Sequence, residues 1–174
     1  MGALSQVIKL TWLADELRAK ALQERPPYST IAIVRTCFPD VLVTGARLPN
    51  GIHECVSRMN GLTTIVYERR LPGPAQRFAI AHAICHLILD GERESARPGC
   101  IGDPEAEQRA DWFAAELLVP RRELAEIASR RPSCDPEEHE IYLDHVDELA
   151  SRFGVPSAVI DTRIRESFQI RRTG

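Results

Sequence analysis

Two histidines four residues apart, His82 and His86, sit in the apolar run 77–89. On an α-helix, positions i and i+4 lie one above the other on the same face, so both imidazoles address one point in space. Such a pair is either packed into a core with its polar atoms satisfied, or it grips an ion. The helix predicted next along the chain tips the balance. It carries Glu107 and, one turn further on the same face, Asp111. Two histidines and a glutamate with a position left open make a catalytic kind of divalent-metal site, and Asp111 is placed to accept a hydrogen bond from a ligating ring. Several divalent ions suit that donor set, zinc and manganese among them.

The surrounding sequence breaks into elements at its prolines and glycines. Residues 4–24 read as an amphipathic helix stopped by Pro26-Pro27, and a short helix covers 29–37 ahead of Pro39. Residues 41–44, 52–58 and 63–68 are β-rich, and Asn60-Gly61 marks a two-residue hairpin turn that needs φ > 0 at both positions. A helix is predicted over 75–89 with Asp90-Gly91 as its stop, then a loop over 92–102. Asp103-Pro104 reads as an N-cap with proline in the first helical position, opening a helix that ends before Val119-Pro120. Helices are expected over 121–130, 137–152 and 156–168, the acidic run 135–138 favouring the start of one of them. The fold class is α+β, a small antiparallel sheet beside a mainly helical body. Residues 1–130 form the main domain, and 131–174 a helical extension packed on it.

Composition narrows the class. A chain of 174 residues suits a single domain with a real core, and a net charge of −3 argues against a general nucleic-acid coat. Five scattered cysteines without a C-x-x-C pair fit reduced thiols in a cytoplasmic protein, with Cys85 as a small core residue. The start has neither a signal-peptide nor a myristoylation pattern, and no apolar run approaches a membrane span, so no membrane partner is expected.

The residues Arg77-Phe78-x-x-Ala81-His82-x-x-x-His86-Leu87-x-Leu89, followed by Glu107-x-x-Ala110-Asp111-x-Phe113-Ala114-Ala115-Glu116-Leu117-Leu118-Val119-Pro120, resemble the ImmA/IrrE family of zinc metallopeptidases. The resemblance is specific over 62–120, looser to 168 and vague before 50. It implies a thermolysin-like α+β core with a helix-turn-helix-like C-terminal part. It also implies that His82, His86 and Glu107 bind zinc while Asp111 supports them. The implied substrate is a protein, typically a helix-turn-helix repressor whose cleavage derepresses stress, phage or mobile-element genes.

One position departs. The family motif is His-Glu-x-x-His, and its glutamate is the general base, but this chain has Ala83 there. Losing a positioned base removes on the order of 10²–10⁴-fold in rate and leaves metal binding intact. One change in an otherwise complete site is what an engineered inactive variant carries. A natural pseudopeptidase that binds a repressor without cutting it is the alternative.

Further residues carry expectations with a plainer reading beside each. Thr64, Ile65 and Val66 lie on a strand that either offers its edge to an extended substrate or is an ordinary core strand. Tyr67 is either an oxyanion donor or a structural tyrosine. Residues 150–160 have helix-turn-helix spacing, but Asp161, Arg163, Arg165 and Glu166 nearly cancel in charge on the second helix. Packing or substrate docking is therefore expected there, not direct DNA binding. His53, His139 and His145 are isolated and read as structural or solvated.

Overall fold

Burial on every side distinguishes the helix that carries the two histidines. The computed structural model describes residues 3–89, 97–98, 103–129 and 139–172. In chain order these form α1 (Ala3–Lys20), α2 (Thr30–Cys37), β1 (Val41–Ala46), β2 (Glu54–Met59), β3 (Leu62–Glu68), α3 (Gly73–Leu89), β4 (Arg97–Pro98), α4 (Pro104–Leu118), α5 (Arg121–Ser129), α6 (His139–Phe153) and α7 (Ser157–Arg172). From Ala79 to His86 every residue of α3 is buried. A helix with no polar stripe belongs inside a fold, and α3 packs against β2 and β3 on one side and α4 on the other. The α+β class is as expected. The Asp90-Gly91 stop, most of the loop 92–102, the acidic run 135–138, Cys100 and Cys134 lie outside the described residues, as does the side chain of His139.

The sheet has the order β1-β3-β2-β4. β2 and β3 form the expected hairpin: Asn60 (φ 52°) and Gly61 (φ 75°) are both left-handed, and Met59 faces Leu62 across the turn. The small sheet is antiparallel where β2 pairs with β3 and β4, as expected, while β1 departs from that expectation by running parallel to β3. The β1–β2 connection crosses the end of β3 and is fastened there. The Glu68 carboxylate accepts hydrogen bonds from the Leu48 N–H (2.7 Å) and from Arg70, and Arg70 also reaches the Leu48 carbonyl. Three hydrogen bonds from Arg70 and one from Leu48 hold the Glu68 carboxyl down at a pKa of about 2.

α4 opens as its sequence dictates. The Asp103 side chain accepts from the Glu105 and Ala106 N–H groups, with Pro104 in the first turn. At the far end its carbonyls are capped by two buried arginines from distant elements. Arg18 of α1 donates to the Glu116 and Leu117 carbonyls (2.8 and 2.9 Å), and Arg163 of α7 donates to the Val119 carbonyl (3.0 Å). Helix C-termini leave such carbonyls without partners and carry partial negative charge, so cations suit them.

α6 ends in a Schellman-type turn: Gly154 (φ 63°) donates to Ser151 O and Val155 to Ala150 O. Arg77 of α3 donates to the Gly154 carbonyl at 2.6 Å, tying this turn to the start of the histidine helix. Val146, Phe153, Ile160 and Ile164 belong to the same buried cluster as Leu10, Phe113 and Leu117. Among the described residues no helix is long and apolar enough to cross a membrane.

Candidate metal centre

α3 presents His82 and His86 one turn apart, with ring centroids separated by 4.8 Å and the Nε2 atoms only 2.9 Å apart. Both rings are buried. α4 packs alongside and brings Glu107 to them: Oε2 lies 3.2 Å from His82 Nε2 and Oε1 3.7 Å from His86 Nε2. Asp111, one turn on, stands 2.9 Å from His82 Nδ1. That contact fixes the proton on Nδ1 and turns the Nε2 lone pair inward. The structure thus brings Glu107 close to both rings with Asp111 behind them, but among the described residues the donors spaced to share one ion are Glu54, His82 and His86.

A second carboxylate, which the sequence reading missed, completes the ring. Glu54, the first residue of β2, is buried, and its Oε1 lies 3.8 Å from His82 Nε2. One ligand atom each from Glu54, His82 and His86 fall within 4.8 Å of one another. The signal was a glutamate on the face of β2 that Val56 also occupies, a face turned to the core. Recognising it needed the strand's register, which local pattern does not supply.

The electrostatics fit a cation. Burial alone would lower the His82 pKa, but the hydrogen-bonded Asp111 and the charges of Glu54, Asp111 and Glu107 outweigh it and the value is raised. Burial pushes the Glu54 carboxyl up, with His82 partly opposing. Glu107 Oε1 is buried without a hydrogen-bond partner. Inward-facing Nε2 atoms and an orphaned carboxylate oxygen at this spacing are what a divalent ion such as zinc needs. Glu54, His82, Glu107 and Asp111 form one wall of a cavity of about 580 Å³, whose other lining, apart from His53, is apolar or small, as at Ile52, Phe78 and Pro156.

A family model for the IrrE N-terminal-like domain, Peptidase_M78, matches residues 34–165. The chain belongs to the ImmA/IrrE family. A solved structure, a Mycobacterium tuberculosis transcriptional regulator, has the same fold with a TM-score of 0.58 at 18% identity. The match covers 87% of this chain and 44% of that protein, so this chain spans less than half its length. No curated protein matches the chain.

Within this ImmA/IrrE domain the geometry bears on three further positions. The edge-strand expectation for Thr64, Ile65 and Val66 is corrected. β3 is interior, hydrogen-bonded to β1 on one side and β2 on the other, so its main chain is not open to a substrate. Tyr67 does not line the cavity beside His82; its ring lies over Gly45, 3.0–3.1 Å from where a β-carbon there would stand. That close approach explains the glycine and gives Tyr67 a packing part. Ala83 is fully buried and is likewise absent from the cavity wall. Cys85 is a core residue, 1% exposed. His53 borders the cavity, and His145 is buried in α6.

Proposed function

We propose that this chain is a metalloendopeptidase-type module of the ImmA/IrrE family that acts on a protein partner and is strongly impaired in hydrolysis. His82, His86 and Glu107 hold a divalent ion, with zinc the first choice and manganese the alternative. Asp111 orients the His82 ring. When bound, the ion supplies Lewis acidity for polarising a scissile carbonyl. The observation that carries this reading is the convergence of Glu107 on two imidazole Nε2 atoms that face each other at 2.9 Å. The apolar walls of the adjoining cavity suit an extended peptide segment. The partner proposed is a helix-turn-helix repressor, by family membership. Direct DNA reading by α7 is not part of the proposal. Its Arg163 is buried against Glu116, while Arg165 pairs with Asp161 and Glu166 with Arg121.

One observation favours a second reading, a natural pseudopeptidase that sequesters its partner. The side chain at 83 is packed shut in the core, with no exposed surface toward the cavity. The two readings separate in one experiment. Zinc-loaded wild type and the Ala83→Glu variant, checked for folding by circular dichroism, are each incubated with a neighbouring-gene repressor and followed by mass spectrometry. Chelator-sensitive cleavage by the variant supports the peptidase. A stable complex with no product from either protein supports sequestration, and failure of the wild type to bind zinc sinks both.

A further inference from the structure

Glu54 is the buried carboxylate without a fixed cation. Among the described residues three glutamates are buried: Glu54, Glu68 and Glu116. Glu68 is held by Arg70, and Glu116 by Arg163. Glu54 has no such partner. The group it faces is the His82 imidazole, at 3.8 Å, too far for a hydrogen bond. A carboxylate taken out of water without a compensating charge is costly, and folds keep one where it is paired or ligates a metal. Glu54 and Glu107 reach the histidine pair from different elements, one from strand β2 and the other from helix α4. Two like charges flanking two inward-facing imidazole nitrogens repel one another until a dication lies between them.

We propose that Glu54 is a fourth protein ligand, so that Glu54, His82, His86 and Glu107 form a closed His₂Glu₂ centre. This rests on the metal-site reading above and, within it, favours the sequestering pseudopeptidase over the hydrolytic reading. A tetrahedral ion with four protein donors has no vacant position, which is the mark of a holding site and not of a hydrolytic one. The closure and the empty base position at Ala83 then point the same way, toward an ion that is kept and not used for turnover.

Cobalt(II) is the probe, because its visible spectrum reports coordination and its spectral shifts report exogenous ligands. The full chain is titrated with Co²⁺ as wild type and as Glu54→Gln, and each loaded form is then titrated with acetohydroxamate. Wild type should give intense four-coordinate bands that resist hydroxamate. Glu54→Gln should bind the ion about tenfold or more weakly, since a donor is lost, and should take hydroxamate readily. Equal Co²⁺ affinity in the two proteins, or hydroxamate uptake by wild type as easy as by the variant, overturns the proposal while leaving the three-residue site standing. Absence of any Co²⁺ binding by wild type overturns the site itself. The hydroxamate arm on wild type decides even if Glu54→Gln does not fold.

Discussion

His82 Nδ1 lies 2.9 Å from Asp111 Oδ1, a contact that joins α3 and α4 through one ring. The Asp111 side chain is 63% exposed, so it adds little to the core and much to the orientation of the imidazole. Asp111→Asn should therefore leave the melting temperature of the metal-free protein nearly unchanged. Zinc affinity should fall about 10–100-fold, measured by chelator competition. A loss confined to stability would mean that the contact only fastens helices.

The metal-free protein should be steadier in mild acid than in mild base. Burial lowers the His82 pKa, but Asp111, Glu54 and Glu107 together raise it above the ordinary 6.5. The fold thus binds this proton more tightly than the unfolded chain does. The resulting stability is complete below the unfolded value and is lost as pH climbs through the raised one. Glu54, raised by burial, works in the same direction from its ordinary 4.5 upward. Urea midpoints of the apo protein should fall between about pH 6 and about pH 8, and His82→Gln should flatten that slope.

Arg163 and Glu116 are an ion pair with side chains 1% and 3% exposed. Removing Arg163 leaves Glu116 in the core with only the longer contacts from Arg121, at 3.5 and 3.9 Å. Arg163→Met should cost about 3–5 kcal/mol in urea unfolding, and the double variant Arg163→Met with Glu116→Leu should recover a large part of that loss. The guanidinium of Arg163 also lies over the Trp112 ring at 5.7 Å, so near-ultraviolet circular dichroism should register the change.

Gly154 adopts φ 63°, and a β-carbon there would stand 1.7 Å from Arg77 Nη1. Gly154→Ala meets two penalties: the left-handed conformation, about 1–2 kcal/mol, and displacement of the Arg77 side chain from the turn. Arg77→Ala in the same chain removes the second penalty and not the first. A double-mutant cycle by thermal unfolding should show a coupling between the two positions of about 0.5 kcal/mol or more.

Local chemistry made much of this fold legible. The Asp103-Pro104 cap, the Asn60-Gly61 turn and the His82/His86 spacing are each decided within a few residues, and each appears where the sequence puts it. Glu107 was legible because helical geometry carries it one turn from Asp111. Long-range register was not. That β1 lies parallel to β3, leaving Thr64, Ile65 and Val66 without an open edge, depends on a crossover that no short pattern encodes. Glu54 was missed for the same reason, since only the pairing of β2 with β3 and the packing of both on α3 turns it toward His82.

The arginine caps on α4 bear on how small a working fragment can be. The family match begins at residue 34, yet Arg18 of α1 satisfies the Glu116 and Leu117 carbonyls on the helix that delivers Glu107. A polypeptide trimmed to the matched stretch would keep all four candidate ligands and lose one of the two clamps on their scaffold. The smallest autonomous unit is therefore larger than the region by which kinship is recognised.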